Sequence, residues 1–382
     1  MKTHRLTRTF GAGALILVTG FFATTSFAGA TSAKDQAPSG HALFVETDQA
    51  PNNTVVSYTR GTDGTVSYVA TYSTGGAGAA AAKSVADPLA SQGGLALVDQ
   101  GRELIATNPG SNSISVFAVF GPYLRLVQQL PSNGLFPVSI TAHDELVTVL
   151  NSGGAGSVSE YRLQGDRLFA LDHETRSLGL VNTSPPNFLT GAGQVGYSPN
   201  GQFLIVTTKT STNSYEVFSV GFGGRLSSAA TVTAADNPNP FAFTFDSQGR
   251  LVAAEAGGSS VSTYSIGASG SLTSVGSVSD GQTALCWIST SQGYFFGSNA
   301  GSGNVSSFGE TAGGVPTLLN ATAATTHPGT IDSAVSPDGA FLYVESGGSG
   351  ALDVFAVNAN GTLTPIETLW NLPKPYEGIA VS

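Results

Sequence analysis

Residues 331–369, IDSAVSPDGAFLYVESGGSGALDVFAVNANGTLTPIETL, contain four short apolar runs separated by turns rich in Pro, Asp, Asn, Gly and Ser. The first pair of runs is joined by SPDG (336–339), a tight-turn sequence, and the second pair by a Gly/Ser turn at 347–350. Working back toward the N-terminus, the same order recurs in CWISTSQGYFFGSNAGSGNVSSF (286–308) and FAFTFDSQGRLVAAEAGGSSVSTYSI (241–266). It recurs again in QVGYSPNGQFLIVTTKTSTNSYEVFSV (194–220) and GGLALVDQGRELIATNPGSNSISVFAV (93–119). Seven copies fit between His41 and Ser382. One small four-stranded sheet cannot cover both of its faces, so a repeat of this kind is stable only when stacked on neighbours. The fold class is therefore all-β, a seven-bladed β-propeller.

The register supports this count. Apolar residues opening the second strand of each copy fall at Leu43, Leu104, Leu146, Leu204, Leu251, Tyr294 and Leu342. Most intervals are in the forties, whereas two, of 61 and 58 residues, mark inserted loops. These are GGAGAAAAKSVADPLASQ (75–92) and RSLGLVNTSPPNFLTGAG (176–193). The first copy reaches HALFVETD (41–48) without an innermost strand of its own, and EGIAVS (377–382) is the expected substitute. Its pairing with the first blade closes the ring and removes an open sheet edge.

Charged residues make up 10% of the chain and Gly accounts for 49 of 382 residues, a composition suited to short strands and tight turns. One domain, 41–382, accommodates the seven blades, with a short flexible segment at 31–40 before it. At the N-terminus, MKTHRLTRTF carries Lys2, Arg5 and Arg8 without an acid, GAGALILVTGFFATTSF is apolar, and Ala28–Ala30 offers small residues for cleavage. Residues 1–30 thus read as a secretory signal peptide, and the expected location is secreted or periplasmic, with no membrane attachment after cleavage. Without this leader, 12 basic residues face 25 acidic ones, a net charge of about −13 that disfavours nucleic acid as a partner. A monomer is expected. The lone Cys286, in TALCWIS, reads as a small apolar residue packed between blades.

In a propeller, the loops joining strands two and three and those joining successive blades open on one face. Both insertions rise there, which makes it the functional face. The turns HDE (143–145), SPNG (198–201), DSQG (246–249) and SPDG fall on the opposite face. One aligned position per blade ends strand two: Thr47, Asn108, Asn151, Thr208, Glu255, Asn299 and Ser346. Asn, Ser and Thr suit the turn that follows. Glu255 is the acid in this ring, and a carboxylate in a dry pocket is a general-base candidate. His327, approaching an innermost strand, is a second catalytic candidate. Lys209 and Arg176 are candidates to hold a substrate anion, and Gln194 and Gln282, at the starts of innermost strands, are further substrate contacts. The sequence has no HExxH, CxxC pair, GxSxG or GxxxxGK[ST]. No cofactor or metal site is therefore expected, although carboxylates and carbonyls of the channel leave room for a divalent ion.

SPDGAFLYVESGGSGALDVFAVNANGTLTPI (336–366), SPNGQFLIVTTK (198–209) and NPGSNSISVFAV (108–119) resemble the seven-bladed lactonase family of β-propellers, which includes 6-phosphogluconolactonase-like and carboxymuconate-cyclase-like proteins. FTFDSQGRLVAAEA (243–256) and GQTALCWIS (281–289) are similar to exported members. The resemblance implies opening or closure of a lactone ring. An acidic chain without a basic cluster points to an unphosphorylated lactone or cyclic ester as the small-molecule partner. The competing expectations are a propeller that only binds, presenting its loop face to an envelope or extracellular partner, and a structural surface component without a pocket.

Overall fold

The computed structural model describes Met1 and residues 41–382; the leader and the segment assigned to 31–40 otherwise lie outside the described residues. The turn residues define each blade. In SPDG, the Ser336 hydroxyl accepts from the Phe341 amide at 3.0 Å and Asp338 from the Ala340 amide at 3.0 Å, while Gly339 takes φ +70°. In SPNG, Ser198 accepts from Phe203 at 3.0 Å, Asn200 from Gln202 at 3.1 Å, and Gly201 takes φ +66°. The local chemistry is the same, so the hairpin is the same.

These hairpins assemble into seven four-stranded antiparallel sheets. The first uses Ala42–Glu46, Thr54–Arg60 and Val66–Ser73; the second Leu95–Val98, Glu103–Asn108, Ser113–Phe120 and Tyr123–Pro131. The third comprises Pro137–His143, Leu146–Asn151, Ser157–Gln164 and Arg167–Ser177. The fourth comprises Val195–Tyr197, Phe203–Thr207, Ser214–Ser219 and Thr231–Ala234. The fifth is Pro240–Phe245, Leu251–Glu255, Ser260–Ile266 and Leu272–Ser279. The sixth is Leu285–Ser291, Tyr294–Asn299, Asn304–Glu310 and Pro316–Thr325; the seventh is Thr330–Val335, Phe341–Ser346, Ala351–Val357 and Leu363–Trp370. All seven strand-two positions read from the sequence lie in the second strand of their sheet.

The C-terminal strand Ile379–Val381 is the innermost strand of blade one, pairing Leu43 with Val381 and Val45 with Ile379. The ring therefore closes as the sequence implied. Beyond the pairing itself, Glu46 donates its amide to Gly378 O at 2.9 Å, and the Arg60 guanidinium donates to Ser382 O at 3.2 Å.

Alternating strand residues place one apolar cluster between each pair of neighbouring blades. Leu43, Val56, Tyr343 and Leu352 join blades seven and one; Phe44, Leu104 and Phe117 join one and two; Ile105, Val147 and Tyr161 join two and three. Phe203, Val217, Phe243 and Leu251 join four and five, while Phe296, Leu342 and Phe355 join six and seven. The two remaining interfaces also take up inserted residues: Ala81, Leu89 and Ala90 enter the cluster of blades three and four, and Ala86 packs on the cluster of blades five and six around Trp287. Burying a side chain of this size contributes about 1.5–3 kcal/mol, so each blade is stable chiefly through its neighbours. Among the described residues no helix is long and apolar enough to cross a membrane.

Candidate functional site

The first insertion lies over the centre of the ring. Gln92 exchanges two hydrogen bonds with the Ile288 backbone of blade six, at 3.1 and 3.0 Å, and its carbonyl accepts from Ser139 of blade three at 2.7 Å. Trp287 Nε1 donates to Ser91 O at 2.7 Å, and Ser91 Oγ donates to Val138 O at 2.7 Å. The Glu377 carboxylate, just before the closing strand, accepts from the amides of Leu89, Ala90 and Ser91 at 2.6, 3.1 and 3.2 Å. The two insertions are themselves joined, with Ala82 donating to Pro186 O at 2.8 Å and Phe188 to Ala82 O at 3.1 Å.

Lys209 fixes both loops. It is buried, its Nζ donates to Ala90 O at 2.7 Å and Phe188 O at 2.6 Å, and it lies 5.1 Å from the Phe241 ring centroid. Burial lowers its ammonium to about 8, a shift opposed by the Asp87 and Glu377 carboxylates. Both Nζ acceptors are carbonyls of the protein, so Lys209 organises the loop face and is closed to a substrate anion in this conformation.

Around it the axis is strongly acidic. Glu46, Asp48, Glu345 and Glu377 are buried and each is raised well above the usual carboxylate range, first by burial. Like charges add to this at Glu46, where Asp48 is the larger neighbour, at Glu345, where Asp332 is, and at Glu377, where Asp87, Asp48 and Asp332 contribute. Asp332, on the innermost strand of blade seven, is pushed up to about 7 by burial, despite accepting from the Ser333 amide at 2.8 Å. Sequence reasoning missed Glu46, Asp48, Asp87, Asp332 and Glu345. The available signal was the acids of VETD (45–48) and SVADP (84–88), and the Asp and Glu inside the apolar runs of blade seven.

Glu255 has a different environment. Two phenols, of Tyr215 and Tyr264, donate to Oε1 at 2.9 and 2.6 Å, and the Asn237 amide, Asn237 Nδ2 and Ser262 Oγ donate to Oε2 at 3.0, 2.8 and 2.6 Å. The carboxylate is buried and fully engaged. Its Ser262 contact belongs to a rung repeated in other blades between the end of strand two and strand three. Asn108 donates to Ser115 and Asn299 to Ser306, each at 2.8 Å, and Ser346 donates to Asp353 at 2.9 Å. These rungs hold the turn and the strand crossover together.

The rung of blade seven carries His327. Its Nδ1 lies 2.8 Å from Asp353 Oδ1, and Asp353 also receives the His327 amide, Ser346 Oγ and Thr368 Oγ1. With Asp353 accepting, Nδ1 carries the proton and Nε2 presents a lone pair, to which no group among the described residues hydrogen-bonds. The imidazole side chain is 36% exposed and meets Trp370 edge-to-face with ring centroids 4.3 Å apart; Trp370 is itself 53% exposed.

The remaining candidates are structural in their contacts. Arg176 lies inside the outermost strand of blade three, which extends to Ser177 rather than yielding to the insertion at 176, and donates to Leu226 O and Ser227 O of blade four. Gln194 exchanges two hydrogen bonds with Phe243 of blade five, and Gln282 accepts from Asn304. Burial pushes the Cys286 thiol up, out of the reactive range. A cleft of about 560 Å³ lies on the opposite face, lined by Asn200, Phe203, Gln248, Arg250 and Ser265, and contains none of the candidates. Among the described residues, no group of three acidic, imidazole or thiol side chains is preformed as a metal centre.

Known proteins agree with this architecture. Residues 203–333 match the family described as Lactonase, 7-bladed beta-propeller. The periplasmic gluconolactonase of Pseudomonas aeruginosa is 17% identical, with 90% of this chain and 99% of that one covered and a TM-score of 0.66. A Bacteroides fragilis protein provisionally assigned as a 6-phosphogluconolactonase is 17% identical over 92% of this chain and 99% of its own, with a TM-score of 0.70. A Lactobacillus plantarum protein is 18% identical over 90% and 99%, also with a TM-score of 0.70. At these identities the likeness establishes the fold alone, and no curated protein sequence matches the chain. The ring is closed and seven-bladed, and the match of residues 203–333 to that family agrees with the resemblance read from the repeats.

Proposed function

We propose that the protein is an exported hydrolase of unphosphorylated lactones or related cyclic esters, with His327 as its general base on the insertion face. The observation carrying this reading is the imidazole itself: its tautomer is fixed by a buried carboxylate, its other nitrogen has no hydrogen-bond partner among the described residues, and an exposed indole stands beside it. Nε2 takes a proton from water, the hydroxide oxygen bonds to the lactone carbonyl carbon, and the imidazolium returns that proton to the ring oxygen as the acyl C–O bond breaks. Asp353 positions the ring and stabilises the imidazolium. Trp370 offers an apolar face to the ring of the substrate. Export rests on the N-terminal sequence, and the unphosphorylated substrate on the acidic balance of the chain.

The test is hydrolysis of aliphatic, sugar and aryl lactones by the purified protein, with His327→Gln and Trp370→Ala alongside. His327→Gln is expected to lower kcat/KM by about 10²–10⁴-fold and to abolish the acid limb of the pH–rate profile, while Trp370→Ala mainly raises KM. Absence of turnover above the spontaneous rate on every lactone would overturn the enzyme reading. A second reading, a propeller that binds without turnover, is favoured by the filled axis, because the first insertion occupies the place where a central pocket would open.

A further inference from the structure

The loop that carries His327 touches the first insertion. A Cβ on Gly329, two residues further on, would stand 2.9 Å from Ala86 Cβ, and one on Gly347 would collide with Ala86 O. Ala86 is held there by packing on the cluster around Trp287, and Val85 beside it is 93% exposed. Pro328 is exposed as well. Gly329 leads into the innermost strand of blade seven, Thr330–Val335, whereas Trp370 ends the outermost strand, Leu363–Trp370. The imidazole therefore stands between an exposed indole on the outer side and exposed Pro and Val residues on the axial side.

The polar side chains around this strip spend their hydrogens on the protein. Ser346 Oγ and Thr368 Oγ1 donate to Asp353, Ser349 Oγ donates to Ser346 O at 3.0 Å, and the hydroxyls of Thr326 and Thr330 bond each other. The Lys374 ammonium donates to Gly348 O at 2.6 Å. Apart from the imidazole, the strip offers an incoming molecule mainly carbon. A ligand rich in hydroxyls would surrender water there for few protein donors. An apolar substituent would gain instead, by about fourfold in binding for each methylene fully buried.

We propose that the site selects lactones bearing an apolar alkyl or aryl substituent over polyhydroxylated ones, with Trp370 against the lactone ring and Pro328 and Val85 receiving the substituent. This inference rests on the reading of His327 as the base on the insertion face. It gives the first insertion a role in specificity: Ala86 anchors the segment, and Val85 extends the apolar strip that begins at Trp370. Neither Val85 nor Trp370 carries a proton in the reaction, so both act on which lactone is bound rather than on how its ring is opened.

The experiment follows kcat/KM along δ-lactones of increasing tail length, from δ-valerolactone without a tail to δ-decanolactone, for the wild type, Trp370→Ala and Val85→Asp, with glucono-δ-lactone as the hydroxylated comparison. Along the series kcat/KM is expected to rise about 10-fold or more, mainly through KM, and to exceed that for glucono-δ-lactone once each is referred to its spontaneous hydrolysis. Both variants should flatten the series. A flat wild-type series, an unchanged slope in both variants, or a preference for glucono-δ-lactone would overturn the proposal and leave the enzyme reading standing. Binding is read separately with the matching δ-lactams, whose amide resists hydrolysis. The chain has two tryptophans, Trp287 buried and Trp370 exposed, so a change in intrinsic fluorescence reports occupancy beside Trp370. Affinity that rises with lactam tail length in the wild type but not in Val85→Asp, without turnover of any lactone, would sustain the apolar site and overturn the enzyme reading alone. Lactam affinity independent of tail length would overturn the inference whether or not lactones are hydrolysed.

Discussion

Glu255 in blade five and Glu46 in blade one both end the second strand of their sheet, and both are buried, yet their surroundings are opposite. Five donors converge on Glu255, two on one oxygen and three on the other. Glu46 receives Asn53 Nδ2 at 2.7 Å on one oxygen and nothing among the described residues on the other, while Asp48 and Glu345 add like charge beside it. The difference shows that burial alone does not define the chemistry of a carboxylate. In blade five the protein supplies the solvation that water would have given, and the group becomes a fixed anchor. Where the ring closes it does not, and the group remains responsive to protons.

The strongest way to break the comparison is to remove the anchor. Glu255→Ala would leave two buried phenols, a buried hydroxyl and both the main-chain and side-chain amides of Asn237 without their acceptor, and is expected to destabilise the fold by about 3–5 kcal/mol. Urea unfolding measures this. A loss under about 1 kcal/mol would mean that the five donors readily find other partners and that Glu255 is no anchor.

The acids around the closing strand, Glu46, Asp48, Asp332, Glu345 and Glu377, make the next largest prediction, in pH. Their carboxyls are raised in the folded state, so the native protein binds more protons than the unfolded chain, and stability must fall as pH rises. The contribution is fully present below the unfolded carboxyl range near pH 4 and is lost as pH passes through the folded values, about 7 for Asp332. Between pH 4 and 8 a decline on the order of 2–4 kcal/mol is expected, and Asp332→Asn should flatten it. A stability that climbs across this range would show that these acids are held ionised.

Lys209 lies between these extremes, a buried cation satisfied by carbonyls. Lys209→Met keeps the bulk but leaves Ala90 O and Phe188 O without their donor, at an expected cost of about 2 kcal/mol. The sharper readout is amide exchange at Leu89, Ala90 and Ser91, which should quicken more than that of the blade cores. Unchanged exchange would assign the loop's order to Glu377 and Trp287 instead.

Much of the architecture was legible because a blade is a local object. SPDG, SPNG and the alternation around them specify hairpins from adjacent residues, and the positions from Leu43 to Leu342 repeat with a period that tertiary packing only confirms. The closing strand was legible as well, since the first blade lacked a partner. The site was not, because it is assembled from residues far apart in the chain. Glu255 stood out as an acid in an apolar run, but nothing in the sequence announces Tyr215 and Asn237 as its donors. Arg176 fell in a stretch of irregular length and turned out to lie on a strand. The insertion 75–92 was read as a loop rising above the ring, whereas Leu89, Ala90 and Ser91 bend back into it. Its apolar Ala and Leu residues, unusual for a solvated loop, carried that information.

The smallest expected stability effect bears most directly on function. His327→Gln removes one donor to Asp353 but leaves Ser346, Thr368 and the main-chain amide of residue 327 in place, so the rung should lose under about 1 kcal/mol. If His327 is only a rung member, lactone turnover should track that small change and the pH–rate profile should keep its shape. If it is the base, the fold stays intact while kcat/KM falls by orders of magnitude and the acid limb vanishes. Measuring both quantities on the same variant separates a side chain that holds the blade from one that acts on a substrate, a separation that Glu255, bound on every side, does not permit.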